Sequence, residues 1–477
     1  MSAATNAHLA RGLAAASLLL LTACANFSTD GGMQSVSQRV VAELGVEPVK
    51  PVTEADFAAA RQRVSQYLAE TLSADTAVQL AIANNRGLQA RYNALGLSEA
   101  QFVQASLPAN PTLGYTRMSG DGVITTETHL SVELLGLITL PWRRELGERQ
   151  FEAAKYMAAE ATLRTGTDAR RAFYRAVAAQ QVAVYLEQAL ESAETAAELT
   201  RRLAETGAST RLEQARAAAL YLEVANELRR ARLDAQIARE TLTRALGLWG
   251  ADINFRLPAT LPTLPASLQL VDQPEVEAIR RRVDLVAMRQ DLDATARALG
   301  LTRATRFVSV LQLSGIWDAE RHADETARMR GFEVAVQIPI FDFGEVSSRR
   351  AQETYMEAVN RLVERAINIR SEARAGYLAY RASYDIARGY RDDVIPLRRI
   401  IDEEVLYRYN GMLVDVFALL TTARESIASN VATIQAIRDF YIADTDFRAA
   451  LAGGAGPSTE GGGARLGAVA AGGGGGH

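Results

Sequence analysis

The sequence predicts a mainly α-helical protein with a small β-part, built from long antiparallel coiled-coil hairpins and four β-strands per chain. Three observations support this fold class. No proline interrupts residues 143–203, and at about 1.5 Å per residue that run makes a rod of roughly 90 Å, too long for a compact globule. A pattern of helix, strand, strand, long helix, break and helix occurs twice. Alanine, glutamate and arginine are abundant and prolines are few, which favours long, closely packed helices.

Composition also excludes several classes of function. The formal net charge is −4, so the chain lacks the basic balance of a nucleic-acid-binding protein. The four histidines are scattered and form no metal-ligand motif. No phosphate-binding glycine loop and no nucleophile–base pair is recognisable. The sequence therefore predicts a protein that is not an enzyme and that uses no cofactor and no metal.

The N-terminus has the pattern of a secretory signal peptide over residues 1–23. His8 and Arg11 precede a short apolar run, which ends in Leu21-Thr-Ala-Cys24. The run is too short to cross a bilayer as a stable helix. The pattern resembles the lipobox of bacterial lipoproteins, and the resemblance implies acylation (palmitate) of Cys24 and sorting to the outer membrane. The alternative is that Cys24, the single cysteine, is an ordinary buried residue after an apolar run.

An internal duplication organises the rest of the chain. The lipidated segment 24–72, with short amphipathic helices over 34–45 and 54–72, precedes the two copies. The copies align at three places: Asn85–Ala90 with Arg282–Ala287, Leu140 with Phe343, and Gly207 with Gly411. The predicted segments are a first repeat over 73–250, a proline-rich connector over 251–274, a second repeat over 275–450 and a disordered glycine-rich tail over 451–477.

Four strands are expected, two in each repeat. Their predicted ranges are 112–118, 128–135, 307–317 and 331–341, with a polar loop over 318–330. In the last one Phe332, Val334 and Val336 alternate with polar residues, the pattern of a strand with one apolar face. Two interpretations remain open: a small soluble sheet, or a membrane sheet. Four strands cannot close a barrel alone, whereas three copies supply twelve, so a membrane sheet implies an oligomer.

The helices carry apolar positions at the spacing of a coiled-coil seam. In the first repeat the seam consists of Ala179, Val182, Leu186, Ala189, Ala193 and Ala196, and after the break of Val224, Leu228, Ala231, Ala235, Ala238, Leu242 and Ala245. The second repeat has an equivalent rod over 345–408. An ordinary antiparallel coiled coil with a purely structural role gives the same pattern.

Each long helix is predicted to end at a hairpin tip. Gly207 supplies a left-handed residue that ends a helix, and Thr210 with Glu213 forms a capping box that starts the next one. Gly411 is expected to play the role of Gly207 in the second repeat, with Asp415 as the N-cap residue. Both tips are then expected at the end of the rods opposite the strands.

Over about residues 73–450 the arrangement resembles the TolC family of outer-membrane efflux ducts. The resemblance rests on the duplication, on Asn110-Pro111 before the first strand, on Ile338-Pro-Ile-Phe-Asp-Phe-Gly344 before a long helix, and on the tip Tyr407–Val416. It implies a homotrimer with a twelve-stranded barrel in the outer-membrane lipid and a periplasmic tunnel of twelve helices. It also implies that the tips contact a periplasmic adaptor (membrane fusion) protein and an inner-membrane efflux pump. The tip residues are Gly207, Arg211, Leu212, Gly411, Met412 and Val416.

Asp415 matches an acidic residue that rings the closed end of the tunnel in the family. Three such carboxylates around a threefold axis repel one another and attract cations. A second acidic residue present in some members is replaced here by Ala418. The alternative is that Asp415 only caps its helix.

The resemblance implies a passive exit duct of a tripartite efflux system. Because acylated members are common in those branches of the family, the lipobox favours small molecules or metal ions as cargo. Two alternatives are a duct for protein secretion of type I and a structural coiled-coil lipoprotein without a pore.

Overall fold

A computed structural model describes residues 26–322 and 325–454. The predicted signal peptide, Cys24 and nearly all of the predicted tail lie outside these residues. The helices, numbered in chain order within the described part, are α1 Met33–Leu44, α2 Glu54–Ala69, α3 Ala74–Asn84, α4 Arg86–Ala105, α5 Leu134–Ile138, α6 Leu140–Glu205, α7 Arg211–Leu246, α8 Pro274–Arg281, α9 Val283–Ala304, α10 Glu345–Gly389, α11 Ile395–Asn410 and α12 Val416–Ala452. The strands are β1 Thr112–Gly120, β2 Val123–Glu133, β3 Val310–Arg321 and β4 Thr326–Gln337.

The described chain forms two compact units. The first comprises residues 26–162, 243–258 and 269–375, without 323–324, and it contains the sheet. The second comprises residues 163–242, 259–268 and 376–454, and it contains both hairpin tips. The long helices α6 and α10 contribute to both units.

The first unit shows the duplication in its backbone. Helix α3 gives way to α4 at Asn85 (φ −67°, ψ 113°), and α8 gives way to α9 at Arg282 (φ −62°, ψ 119°). The alignment of these two segments is therefore structural. Asn85 caps α4 by accepting a hydrogen bond from the amide of Leu88 at 3.1 Å. Arg282 makes no such cap; its guanidinium is fully buried and belongs to a cluster of ion pairs described below.

The core of this unit lies where α1 packs against α3, α4 and α6. It consists of Val36, Val40, Val78, Ile82, Leu88, Tyr92, Leu95, Phe151, Ala158 and Ala159. The hydroxyl of Tyr92 pairs with that of Thr162 at 2.8 Å. Burial raises the pKa of Tyr92, while this hydrogen bond opposes the rise. The predicted helices over 34–45 and 54–72 are confirmed as α1 and α2.

The four strands form one antiparallel sheet in the order β1-β2-β3-β4. The predicted ranges were wrong at several ends. The strand expected over 128–135 begins at Val123, and its last two residues belong to α5. The strands expected over 307–317 and 331–341 extend to Arg321 and begin at Thr326, and most of the predicted loop 318–330 is paired sheet. The polar residues of that loop alternate between the two faces, so they sustain pairing where composition alone indicates a loop.

The second unit is built on helical hairpins. Of the predicted seam, Leu186, Ala193, Val224, Leu228 and Ala231 are confirmed as buried contacts between α6 and α7. The connector is buried here in part. Leu261 donates its amide to Gln181 Oε1 at 2.9 Å, and the hydroxyl of Tyr384 donates to the carbonyl of Ala266 at 3.0 Å. An aromatic cluster of Tyr380, Tyr384, Phe440 and Phe447 joins α10 to α12, with ring centroids 5.4–5.8 Å apart.

The second long helical run is interrupted, unlike the first. Tyr390–Val394 forms a π-helical turn between α10 and α11. Pro396 explains it, because proline lacks an amide hydrogen and its ring clashes with the carbonyl four residues back. The rod predicted over 345–408 is therefore helical throughout, but it contains this π-helical turn.

Within residues 26–322 and 325–454, no helix has the length and apolar character needed to cross a bilayer.

Candidate functional site

The first hairpin tip joins α6 to α7 as predicted. Gly207 has φ 74°, and the amide of Ala208 donates to the carbonyl of Leu203 at 2.8 Å, which closes the end of α6. The capping box is confirmed: the amide of Glu213 donates to Thr210 Oγ1 at 3.2 Å, and the amide of Thr210 donates to Glu213 Oε2 at 2.7 Å. Hydrogen bonds from that amide and from nearby hydroxyls lower the pKa of Glu213.

The second tip joins α11 to α12 and corrects one expectation. Gly411 has φ −77°, so it is not left-handed; Met412 is, with φ 59°. The amide of Leu413 donates to the carbonyl of Arg408 at 2.8 Å, and that of Met412 donates to Tyr409 at 2.9 Å. The corresponding bonds of the first tip run from the amide of Ala208 to Leu203 at 2.8 Å and from that of Gly207 to Ala204 at 3.2 Å. Met412, one residue later than predicted, therefore occupies the position of Gly207.

The two tips lie side by side within the second unit. Val416 contacts the apolar cluster of Ala193, Ala217, Leu220, Val224 and Leu420, which joins both hairpins. The guanidinium of Arg216 lies 4.3 Å from the ring centroid of Phe417. Arg424 on α12 pairs with Glu223 on α7 at 2.5 Å. Packing of the tips therefore depends on residues of both repeats.

Large apolar side chains remain exposed at the tips. Met412 is 93% exposed, Leu413 76% and Leu212 58%. Arg211 is also exposed beside Leu212. A non-glycine residue in the left-handed region costs on the order of 1 kcal/mol, so the strained and exposed Met412 brings no evident benefit to the isolated chain. Such a surface is typical of a contact with a partner.

Asp415 begins α12. Its Oδ1 accepts the amide of Ala418 at 3.0 Å, which confirms the N-cap. The carboxylate is exposed. The cap uses one of the carboxylate oxygens and leaves the other open, so capping and a role in a ring of charges are compatible.

Behind the tips, the same helices line a cavity of about 420 Å³. Asp402 lies in its wall, and its Oδ2 accepts the hydroxyl of Ser426 at 2.8 Å. Its buried Oδ1 has no hydrogen-bond partner within the described residues. Burial, helped by the charge of Asp402, raises the pKa of Tyr185 in the same wall. Asp402 was not predicted from the sequence, because it is followed directly by Glu403 and Glu404 and belongs to no local motif.

The sheet in the first unit has one apolar face, here called face A. Register places Leu113, Leu130, Gly315 and Phe332 in one row across the four strands. Val132, Leu313 and Val334 form the next row, and Leu311 and Val336 the one after. Most of these side chains are exposed, with Phe332 at 80%, whereas Val132 and Leu311 are half-buried. An apolar sheet face of this extent calls for an apolar environment.

The charged residues of the strands separate completely between the two faces. Face A carries only arginines, namely Arg117, Arg321, Arg328 and Arg330. The opposite face, face B, carries only acidic residues, namely Glu127, Glu133, Asp318, Glu320 and Glu333, together with His129. This separation of positive and negative charges becomes visible only when the strands are paired in register. The sequence alone shows no more than that Asp318 and Glu320 share one side of a strand and Arg321 lies on the other.

Comparisons with known proteins bear on the fold. No family model matches the sequence, and no curated protein matches it. Several solved structures do match the fold. One is CusC, whose structures were studied for transmembrane channel formation. It is 16% identical, the match covers 80% of this chain and 92% of that chain, and the TM-score is 0.68. A membrane protein from Pseudomonas aeruginosa matches with 20% identity, 82% and 92% covered, and a TM-score of 0.69. The CmeC outer-membrane channel of Campylobacter jejuni matches with 18% identity, 86% and 89% covered, and a TM-score of 0.64.

The chain has the TolC-like fold of outer-membrane channels. At such low identities the likeness concerns the fold, and most of each chain takes part in it. Within the TolC-like fold, the exposed tips, Asp415 and the two-faced sheet are the features on which a function can be built.

Proposed function

We propose that three copies of this chain form an exit duct in the bacterial outer membrane. The duct passively conducts small molecules or metal ions that a periplasmic adaptor and an inner-membrane pump deliver. The observation that carries the proposal is the two-faced sheet, apolar on face A and acidic on face B, in a chain with a TolC-like fold. Lipid on one side and water on the other is the environment that such a sheet requires.

Oligomerisation follows from the edges of the sheet. β1 and β4 each pair on one side only. In lipid an unpaired strand edge leaves backbone groups unsatisfied, at several kcal/mol for each group. Pairing β1 of one copy with β4 of the next removes both edges, and three copies give twelve strands around a lumen lined by face B.

The tips are the proposed contact with the adaptor. Leu212, Met412 and Leu413 offer apolar surface, and Arg211 offers charge. A photo-crosslinking residue at Leu212 or Met412 should join the chain to a periplasmic adaptor, identified by mass spectrometry, in the producing cells. The same residue at Leu233, which lies on α7 and is as exposed as Leu212, is the control. Equal crosslinking of this adaptor at all three positions would contradict the assignment of the tips.

Asp415 is the proposed constriction residue, and Cys24 is the proposed lipid attachment site. Three Asp415 carboxylates close to one axis would favour cations. Asp415→Asn keeps an N-cap side chain, which separates the two roles of this residue. Single-channel recordings should then show weaker cation selectivity at unchanged thermal stability. Unchanged selectivity would leave Asp415 as a cap only.

The decisive experiment measures conductance and mass together. Purified protein should open ion channels in planar lipid bilayers, and light scattering in detergent should give three chain masses after subtraction of the detergent. A monomeric rod without conductance would replace the duct by the structural coiled-coil lipoprotein. Growth of a deletion strain on a panel of drugs and metals then tests the cargo, with secretion of a protein as the competing outcome.

A further inference from the structure

The arginines of face A are concentrated at one end of the sheet. Arg330 pairs in register with Trp317, Arg328 with Ala319, and Arg321 with Thr326. This is the end at which the β3–β4 hairpin turns. The apolar rows occupy the other end, where the strands continue into helices. Face A therefore changes from apolar to cationic over a few residues, with Trp317 at the boundary.

Three of these arginines form a cluster, here called the arginine rim: Arg321, Arg328 and Arg330. Arg328 and Arg330 are two positions apart on β4, about 7 Å along the strand. Arg321 is the diagonal neighbour of Arg328 on β3, at roughly 7–8 Å. All three side chains are exposed. Within residues 26–322 and 325–454 no carboxylate forms an ion pair with any of them.

Such a cluster is costly without an anionic partner, because like charges at these distances repel one another. The acidic residues of the same strands cannot relieve the repulsion, since they all lie on face B. A guanidinium binds phosphate through two parallel hydrogen bonds, and several together suit a phosphate that carries more than one charge. The chemistry of the rim therefore points to phosphate.

We propose that the arginine rim binds phosphate groups in the headgroups of anionic membrane lipids. Continuity with the apolar rows identifies a lipid as the source: acyl chains cover Leu313, Phe332 and Val334 while the headgroup reaches the rim. Trp317, at the boundary, suits the interface between acyl chains and headgroups, where aromatic residues collect in membrane barrels. A free nucleotide or an acidic peptide has no acyl chains that would cover the apolar rows.

The inference rests on the proposed function, because face A must contact lipid. It then also gives an orientation. With the helices in the periplasm, the hairpin turns face the exterior, and the rim binds phosphates of the outer leaflet. Arg117, on β1 at the level of Arg328, extends the rim along the other edge of the sheet.

The test uses the full-length protein in detergent and native mass spectrometry. The protein is titrated with phosphatidic acid and with phosphatidylcholine of the same acyl chains. Removing one arginine near an anionic headgroup weakens binding roughly fivefold, so three removals cost on the order of 100-fold. R321Q/R328Q/R330Q should lose its preference for phosphatidic acid. R63Q/R289Q/R370Q removes the same charge from exposed helix positions of the first unit and should keep the preference.

Two results would overturn the proposal. One is equal phosphatidic acid binding by the rim variant and the wild-type protein. The other is displacement of phosphatidic acid by millimolar inorganic phosphate, which would make the rim a site for free anions. Should the triple variant fail to fold, R328Q alone must still weaken binding about fivefold. Planar-bilayer conductance separates the two proposals: a conducting wild-type protein without a lipid preference refutes the rim alone, whereas a non-conducting one refutes the duct.

Discussion

Replacing Asp284 by asparagine probes the most deeply buried charge cluster among the described residues. The carboxylate of Asp284 accepts hydrogen bonds from Arg282, through Nε at 3.0 Å and Nη2 at 2.9 Å. It accepts two more from Arg365, at 2.9 and 2.7 Å. Glu372 completes the cluster, with its Oε2 2.6 Å from Arg282 Nη1 and its Oε1 3.0 Å from Arg365 Nη1.

The expected cost follows from what asparagine cannot replace. Arg282 is fully buried, so a lost partner charge is not compensated by water. The side-chain amide of asparagine also places an N–H donor where the guanidinium groups, which are donors themselves, need an acceptor. Breaking a buried pair costs about 3–5 kcal/mol. Because Glu372 continues to neutralise Arg282, we expect D284N to lose about 3 kcal/mol, the lower end of that range.

Thermal unfolding followed by circular dichroism measures the effect. For a unit of this size about 3 kcal/mol corresponds to a decrease in Tm of roughly 6 °C. D293N is the matched control, since Asp293 is exposed on the same helix α9. A decrease in Tm for D284N no larger than that for D293N would refute the assignment of the cluster as a stabilising element.

The pKa of Asp284 adds a pH dependence with a defined sign. Burial raises this pKa, but the hydrogen bonds and charges of Arg282 and Arg365 outweigh burial, and the pKa lies below the ordinary 3.8. A carboxyl whose pKa is lower in the folded state stabilises the protein above its unfolded pKa, and this contribution is lost as the pH falls through the folded pKa. Below about pH 4 the difference in Tm between wild type and D284N should therefore shrink.

Three further predictions concern the backbone and the proposed lipid anchor. Gly344→Ala should lower the Tm markedly, because Gly344 has φ +70° and a Cβ there would lie 2.2 Å from the carbonyl oxygen of Arg306; an unchanged Tm would contradict it. Met412→Gly should raise stability by about 1 kcal/mol, because glycine adopts the left-handed conformation without strain, whereas Met412→Ala, which keeps a Cβ at that position, should not; equal unfolding midpoints for the two variants would contradict this. Cys24→Ser should prevent incorporation of radiolabelled palmitate, and persistent labelling would exclude this cysteine as the lipid site.

Local signals in the sequence were sufficient for part of the fold. The capping box of Thr210 and Glu213 and the N-cap at Asp415 each involve residues three positions apart, so sequence spacing determines them. The seam around Leu186 and Leu228 follows from helical periodicity. The sequence aligned Asn85 with Arg282 but did not indicate that a helix breaks at each of them.

What the sequence left undetermined depends on longer distances or on register. A glycine at position 411 predicts a left-handed residue there. The hydrogen bonds donated by Leu413 and Met412 instead place the left-handed conformation one residue later, at Met412. Arg282 and Glu372 are 90 positions apart, and nothing local links them. The separation of charges between faces A and B needs the pairing of all four strands, because neighbouring polar residues in one strand resemble a loop.

The π-turn at Tyr390–Val394 changes the phase of the helix that carries the second tip. One residue of an α-helix corresponds to about 100° of rotation, so a turn that holds an extra residue rotates every downstream side chain by about that angle. Arg398 and Asp402 face α12 in this rotated frame, through Glu425 and Ser426. Deleting a single residue from the turn would leave the helix intact and its composition nearly unchanged, but it would turn a different side of α11 towards α12. The orientation of the second tip therefore depends on the length of this segment more than on the identity of its residues.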